Sequence, residues 1–282
     1  MKTMNADKTL LIVNADDFGE SPEVNDGIIE AHRNGIVTSA SLMANMPAFE
    51  HELDCIRENL TLDIGAHLNA HRGTSLTQCS TITRDGKFLK SPLTLVFRGY
   101  MQRTRVREEI VREFDAQMKK IIASGTPISH LDTEKHLHVF PFIFDILLEI
   151  AEKYNIPAVR LPYERATLST LFNPSQFMKT IVMALTAPWN NHLLRKSGRK
   201  SSDYFYGVSL SKKFTVLNVE KLLEKLPTGI SELSCHPGYE SNSGENYIDA
   251  HRTQELATLT DSKLRLSLTN HGIVLSSFLD IR

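Results

Sequence analysis

Residues 10–23 read Leu-Leu-Ile-Val-Asn-Ala-Asp-Asp-Phe-Gly-Glu-Ser-Pro-Glu, and this stretch decides the fold class. Its first four residues form a short, continuous apolar run, which is typical of a strand buried on both faces. Ser21 then offers a helix N-cap, with proline at the first helical position. The stretch therefore predicts a βα unit with two adjacent carboxylates, Asp16 and Asp17, where the strand ends.

Apolar runs and amphipathic stretches alternate along the rest of the chain, which is typical of a parallel α/β protein. Further strands are predicted at 37–43, 62–67, 128–132, 158–161, 230–235 and 273–276, and further helices at 48–58, 104–124, 141–154, 173–196, 219–226 and 248–267. Residues 72–100 lack periodicity, which predicts a long loop and a candidate active-site lid. Because no repeat or linker interrupts the pattern, we expect one domain over residues 1–282.

The composition excludes several classes of protein. The chain has 282 residues with 32 basic and 33 acidic side chains, so a basic nucleic-acid face is not expected. No apolar run approaches the ~18 residues of a membrane span, and the polar N-terminus lacks the apolar core of a signal peptide. Three widely spaced cysteines indicate neither a disulfide scaffold nor a thiolate zinc site. We therefore expect a cytoplasmic protein with no nucleic-acid partner and no membrane span.

Polar residues cluster where the predicted strands end, and sites in parallel α/β proteins are built at that edge. Asp16 and Asp17 follow the first strand, where they could form only a turn and a helix cap. Adjacent carboxylates that leave a strand also diverge, so that one can bind a metal while the other stays free as a base. His67 ends the third strand, where a lone histidine is more often a hydrogen-bonded structural residue than a ligand.

The segment 130–138 carries the strongest chemical signal in the sequence. If it stays extended, period two places its ionisable side chains on one face: His130, Asp132, Glu134, His136 and His138. Leu131 and Leu137 fall on the other face. Five ionisable groups on one buried face are costly unless a metal or substrate uses them.

Two later strand ends complete the set of candidate residues. Pro237 and Gly238 stop the strand 230–235, so His236 is expected at its carboxyl edge. Arg160 lies near the end of the strand 158–161 and places a fixed positive charge near the other motifs. By itself, Arg160 is better explained as half of an ordinary surface ion pair.

The combination resembles the YdjC-like carbohydrate deacetylase family, and the resemblance covers almost the whole chain in the right order. The motifs that carry it are Val13-Asn14-Ala15-Asp16-Asp17-Phe18-Gly19, Gly65-Ala66-His67-Leu68, His130-Leu131-Asp132 followed by His136-Leu137-His138, and Cys235-His236-Pro237. The segments 204–207 and 226–229 look closest to the hopanoid-biosynthesis-associated branch of that family.

The resemblance implies a single-domain, TIM-like (β/α) barrel, seven-stranded and distorted, related to polysaccharide deacetylases. It also implies the metal-dependent removal of acetyl groups from N-acetylated sugars. Carried over by motif, Asp16 is the general base, Asp17 and His67 are metal ligands, and His236 is the general acid. The family usually has a histidine as third ligand, but here that position is Glu134. We expect Glu134 to bind the metal, with His136 or His138 as the alternatives.

The chemistry of these residues limits the cofactor and leaves rival functions open. One divalent ion is expected, and two carboxylates beside one histidine let magnesium, manganese or iron compete with zinc. Asp132, His136, His138 and Arg160 are expected to contact the substrate or to support the ligands. The partner is expected to be an N-acetylated sugar or glycolipid, and a homodimer is left open. The rival functions are a non-catalytic sugar-binding or regulatory protein on the same barrel, and a metal-dependent hydrolase of another bond.

Overall fold

A computed structural model describes residues 8–89, 91–165, 174–210, 213–240 and 250–281 of the chain. Its strands are β1 (Thr9–Phe18), β2 (Ser39–Leu42), β3 (Asp63–Leu68), β4 (Thr83–Arg84), β5 (Lys87–Phe88), β6 (His130–Thr133), β7 (Ala158–Val159), β8 (Tyr204–Tyr206), β9 (Gly229–Cys235) and β10 (Ile273–Ser276). Its α-helices are α1 (Pro22–Arg33), α2 (Phe49–Glu58), α3 (Pro92–Met101), α4 (Arg103–Ala123), α5 (Pro141–Lys153), α6 (Pro174–Ser197), α7 (Val216–Leu223), α8 (Ala250–Leu259) and α9 (Ser262–Asn270). Short 3₁₀ segments lie at Glu134–Val139 and Phe278–Asp280.

Seven parallel strands form a curled sheet in the order β7-β6-β3-β2-β1-β9-β8. Lys200 makes a parallel bridge to Ala158 in β7, and the same segment continues into β8 beside β9. This segment links the two edges of the sheet and gives a distorted barrel. The predicted seven-stranded α/β barrel is therefore confirmed. β10 adds to it by pairing with the first half of β1.

The central strand β1 is buried on both faces, as its apolar run predicts. Leu11, Val13 and Ala15 pack outward in the core beneath the helices. The alternate residues of β1 point into the barrel, where Asn14 and Asp16 are buried. The predicted start of α1 is also confirmed, because the Ser21 hydroxyl accepts a hydrogen bond from the Val24 amide at 3.3 Å.

The amino-terminal end of the barrel is closed by the last part of the described chain. Phe278 and Ile281 pack there against Ile12 and Ala158. The ring of Phe278 also stacks on that of His130, with centroids 3.7 Å apart. Closure at this end leaves the opposite end, where the strands finish, as the opening of the barrel.

The segment 130–138 does not stay extended, so the condition for one shared face of ionisable side chains is not met. The strand β6 ends at Thr133, and a 3₁₀ segment follows. Lys135 and His136 have φ angles of 55° and 52°, in the left-handed region, and they turn the chain back on itself. The side chains of Glu134, His136 and His138 therefore do not share one alternating face.

Two further elements differ from the sequence prediction. The segment 72–100 contains the β4–β5 hairpin and most of α3 rather than a loop alone. β8 was not predicted, because a strand of three residues gives too short a pattern to recognise. The predicted helix start at Asn173 and the predicted residues 248–249 lie outside the described residues. Within the described ranges, no helix has the length and apolar character needed to cross a membrane.

Candidate metal and catalytic site

The open end of the barrel gathers the residues that the sequence analysis selected. They come from six parts of the chain: Asp16 and Asp17 end β1, His67 lies in β3, Asp132 in β6, Glu134 after it, Arg160 after β7, and His236 after β9. All of them except His236 are buried. The parallel strands explain this convergence, because their carboxyl ends meet at one edge of the barrel.

Asp17, His67 and Glu134 form a compact trio of possible metal ligands. One oxygen or nitrogen atom of each lies within 4.8 Å of the others. His67 Nε2 is 3.2 Å from Glu134 Oε2 and 3.8 Å from Asp17 Oδ1. Asp17 has a φ angle of 69°, so its carboxylate leaves the strand in a different direction from that of Asp16.

The surroundings of this trio fit a divalent cation. His67 Nδ1 is 2.8 Å from Asp132 Oδ1, which directs Nε2 towards Asp17 and Glu134. A carboxylate partner on the distal nitrogen is the usual arrangement of a metal-binding histidine. Burial lowers the pKa of His67, but the nearby Asp132 and Glu134 carboxylates raise it well above its usual value. The pocket therefore favours positive charge.

Two arginines that the sequence analysis missed enter this pocket. Arg72 Nη2 is 2.5 Å from Asp17 Oδ1, and its Nε is 2.8 Å from Glu134 Oε1. Arg252 binds the second oxygen of Asp17, and both arginines contact Glu20. A guanidinium group held between two of the ligand candidates shows that this position suits a cation. Neither arginine lies at a strand end, so no pattern in the sequence marked them.

A second set of interactions surrounds Asp16. Arg160 binds both of its carboxylate oxygens at 2.7 and 2.8 Å, and Asn14 Nδ2 and Ser234 Oγ donate hydrogen bonds at 2.8 and 3.0 Å. Burial alone would raise the pKa of Asp16, but the Arg160 guanidinium lowers it well below its usual range. Asp16 is therefore an ionised carboxylate inside the barrel.

Arg160 is not part of a surface ion pair, so that interpretation of the sequence is wrong. It is among the largest fully buried side chains of the described residues. Its guanidinium contacts Asp16, Asp132 and Glu232, and Nε is 2.6 Å from Glu232 Oε1. Burial raises the pKa of Glu232 to about 7 despite this contact. Glu232 was not among the predicted site residues, because it lies in the middle of β9 rather than at its end.

His236 lies at the mouth of the site, with 42% of its side chain exposed. Its Nε2 is 4.0 Å from Asp16 Oδ2, and its Nδ1 is 3.8 Å from Glu255 Oε2. The same Glu255 oxygen accepts a hydrogen bond from the backbone N–H of His236 at 2.5 Å. Burial lowers the pKa of His236, but the nearby carboxylates, chiefly that of Glu255, together raise it by a larger amount, so the pKa lies above its usual value. His236 therefore tends to carry a proton.

The remaining histidines lie outside the ligand trio. His138 Nδ1 is 2.6 Å from Thr133 Oγ1, and the ring of His136 packs edge-on against Phe205. Burial lowers the pKa of His136 to about 3. His130 lies deeper, between Ser41 and Ser129. Within the described part of the chain, no group of three close ligand atoms includes His136 or His138.

Comparison with known proteins identifies relatives over almost the full length. The family model described as YdjC-like protein matches residues 10–270. A protein of Brevibacillus brevis named carbohydrate deacetylase is 34% identical over 276 residues, covering 96% of this chain and 99% of the relative. A protein of the same name from Geobacillus stearothermophilus is 32% identical and covers 95% and 96%.

The fold has a solved counterpart as well. A crystal structure from Enterococcus faecalis, provisionally described as that of a cellobiose-phosphate cleavage protein, is 23% identical to this chain. It has a TM-score of 0.78 and covers 97% of this chain and 98% of its own. This likeness supports the barrel architecture.

Proposed function

Because this chain belongs to the YdjC-like protein family, we propose that it is a metal-dependent hydrolase that removes the acetyl group from an N-acetylated sugar. Relatives of more than 30% identity that share nearly the whole length are named carbohydrate deacetylases. The observation that carries the proposal is the arrangement of three groups at one barrel end. These are the Asp17, His67 and Glu134 trio, the ionised Asp16 beside it, and His236 at its mouth.

Hydrolysis of an amide needs an activated water, stabilisation of the oxyanion, and a proton for the leaving nitrogen. Asp17, His67 and Glu134 would hold one divalent metal ion, which supplies Lewis-acid polarisation of the acetyl carbonyl and acidification of water. One nitrogen and two carboxylate donors suit magnesium, manganese or iron as well as zinc. With Asp132 accepting the proton on Nδ1, His67 would offer its Nε2 to the metal ion.

Asp16 and His236 divide the proton transfers between them. Asp16, which Arg160 holds ionised, takes the proton of the attacking water as its oxygen bonds to the acetyl carbon. The carbon–nitrogen bond then breaks, acetate leaves, and His236 donates its proton to the sugar amine. Its exposure at the mouth of the site and its raised pKa fit this role.

The first experiment combines metal analysis with an activity assay. We expect the purified protein to contain near-stoichiometric divalent metal and to release acetate from soluble N-acetylglucosamine oligomers, and a chelator should stop this release. Binding of the oligomers without acetate release would instead support the non-catalytic sugar-binding function. The likeness of residues 204–207 and 226–229 to the hopanoid-associated branch, and with it a lipid-linked sugar, stays a prediction from the sequence.

A second experiment separates the base from the ligands. Asp16→Asn keeps the shape of the side chain but removes its basicity, so turnover should fall by about 10²–10⁴-fold while bound metal stays near stoichiometric. Glu134→Ala should abolish metal retention, and Glu134→His should restore it with a preference for zinc. A Glu134→Ala protein that keeps its metal, and loses it only when His136 or His138 is mutated, would refute the proposed third ligand.

A further inference from the structure

The helix α6 has an unusual distribution of apolar side chains. Its buried face consists of Thr180, Met183, Ala187 and Asn190, and its exposed face presents Met178, Leu185 and Trp189, which are 60%, 76% and 60% exposed. At 3.6 residues per turn these two sets lie on opposite sides of the helix. A surface helix normally turns polar residues to solvent. The outward side of α6 therefore exposes a stripe of large apolar side chains to solvent, where polar side chains are expected.

The stripe lies on the same side of the molecule as the opening of the barrel. Asn190 Nδ2 donates hydrogen bonds to the carbonyl oxygens of His138 and Val139, which follow β6 at the open end. After α6, Lys200 pairs with the first residue of β7, at the opposite end of that strand. The helix thus runs from the open end towards the closed end, and the stripe precedes Asn190.

A second exposed apolar patch lies near the same rim. In α3, Gly99 packs closely against the ring of Phe142, at the start of α5. The neighbouring side chains of α3 extend into solvent, where Phe97, Tyr100 and Met101 are more than half exposed. α3 and α6 therefore contact the same stretch of chain, from His138 to Phe142, and both expose large apolar groups.

The charges of these two segments are one-sided. From residue 165 to residue 202, both included, the sequence has six Lys or Arg and no Asp or Glu. The segment from residue 86 to residue 107 also has six basic residues and no acidic one. The whole chain, by contrast, has 33 acidic residues against 32 basic ones. Arg107, after α3, is paired with Asp145 and Glu149 of α5. In α6, the exposed Lys196 lies on the same side of the helix as Trp189, seven residues later.

We propose that the exposed stripe of α6 docks the protein peripherally on an anionic lipid surface. Apolar and aromatic side chains that enter the headgroup region, on a segment whose charged residues are all basic, are the combination that binds such a surface. Tryptophan and tyrosine, both present here, favour the membrane–water interface. This docking is independent of the proposed hydrolysis, and it turns the open end of the barrel towards the lipid.

Trp189 makes the proposal directly measurable, because it is the only tryptophan in the chain. Its fluorescence is recorded while the full-length protein is titrated with phosphatidylcholine vesicles, with and without phosphatidylglycerol. We expect a blue shift of the emission and co-sedimentation with the anionic vesicles, and weaker binding to the neutral ones and at high salt. Unchanged emission and no sedimentation with anionic vesicles would overturn the proposal.

Matched variants test whether the stripe is the contact. Leu185→Asp should reduce partitioning onto anionic vesicles by about tenfold or more. Leu266→Asp, at an exposed leucine of α9, should leave it unchanged. Acetate release from soluble oligomers should be equal in both variants, so loss of hydrolysis and loss of docking remain distinguishable. Equal partitioning of the two variants would show that the stripe of α6 is not the membrane contact. A blue shift that grows with protein concentration in the absence of lipid, together with a doubled mass, would assign the stripe to a second copy instead.

Discussion

Among single residues, Arg72 contacts two of the three proposed metal ligands. Its guanidinium is within 2.8 Å of oxygens of both Asp17 and Glu134. A unit charge about 4 Å away is worth roughly 4 kcal/mol at an effective dielectric constant of about 20. Arg72 and a divalent ion therefore compete for the same two carboxylates.

Replacing Arg72 should strengthen metal binding. We expect Arg72→Gln to raise the affinity for manganese or zinc by about tenfold or more, because the competing charge is removed. Titration calorimetry with the metal-free protein measures this. Arg112→Gln, a change of the same kind on α4 away from the ligand trio, is the control. A lower affinity in Arg72→Gln would mean that Arg72 orients the ligands rather than competing for them.

Glu255 should set the pH range over which His236 can act as an acid. Its carboxylate raises the pKa of His236, which keeps the imidazole protonated to higher pH. In Glu255→Gln the amide oxygen can still accept the backbone hydrogen bond of His236, but the negative charge is lost. The pKa of His236 should therefore fall, and the alkaline limb of the kcat/KM profile should move to lower pH.

Two controls accompany this measurement of the kcat/KM profile. The acid limb does not depend on His236 and should stay in place. Glu224→Gln, at the exposed residue that follows α7, should leave both limbs unchanged. If the alkaline limb of Glu255→Gln coincides with that of the unmodified enzyme, His236 is not the proton donor.

The site could be predicted from the sequence as far as its residues lie at strand ends. Asp16, Asp17, His67 and His236 were identified in this way, and the structure brings them together. Arg160 was expected to support the site, but its complete burial was not predicted, because its three carboxylate partners come from β1, β6 and β9 and such contacts leave no trace in local sequence. Arg72 and Arg252 were missed for the same reason.

At the scale of elements, the segment 75–82 is attached to α4 by two buried carboxylates. Glu113 accepts hydrogen bonds from the amides of Leu76 and Thr77 at 3.0 and 2.9 Å. Glu109, one turn earlier, accepts them from the amides of Ser80, Thr81 and Ile82. These contacts hold in place a segment that the sequence predicted to be a lid.

Removing one of these carboxylates should loosen the segment. Glu113→Ala leaves the amides of Leu76 and Thr77 without their acceptor, and we expect a loss of about 1–3 kcal/mol in the free energy of unfolding. Hydrogen exchange should become faster at these two amides in particular. Glu108→Ala, at an exposed position of α4, is the control and should leave their exchange unchanged. Equal protection in both variants would show that Glu113 does not hold the segment.

Helices and strands could be predicted where several residues followed one pattern, and the prediction failed where the conformation of one or two residues decided the structure. The buried run of β1 and the capped start of α1 are as predicted, because several residues in each obey one rule. The segment after β6 does not keep the alternating pattern, because two consecutive residues adopt left-handed φ angles, which residues other than glycine rarely adopt. Such strain is typical of functional sites and follows from the surrounding structure rather than from local preference.

At the scale of the whole molecule, the barrel has one open and one closed end. Phe278 is fully buried at the closed end, where it stacks on His130 and packs with Ile12. Phe278→Ala leaves a cavity beneath the buried polar groups of the barrel, so we expect a loss of about 3–5 kcal/mol in the free energy of unfolding, measured by chemical denaturation.

The adjacent residue provides the control for this prediction. Leu279 is about half exposed in the same 3₁₀ segment, and Leu279→Ala should cost well under half as much. Equal losses in the two variants would mean that the whole segment contributes to stability and that the burial of Phe278 at the closed end has no particular effect.

The pairing of β1 with both β9 and β10 has a consequence during protein synthesis. Residues 9–12 are translated more than 200 residues before their neighbours at positions 229–232 and 273–276. Until then, both edges of residues 9–12 lack a partner, because β2 pairs only with the second half of β1. Contacts of such long sequence separation are slow to form. Between these two points of synthesis the nascent chain carries exposed apolar strand edges, where aggregation competes with folding and a chaperone that covers such edges would help it most.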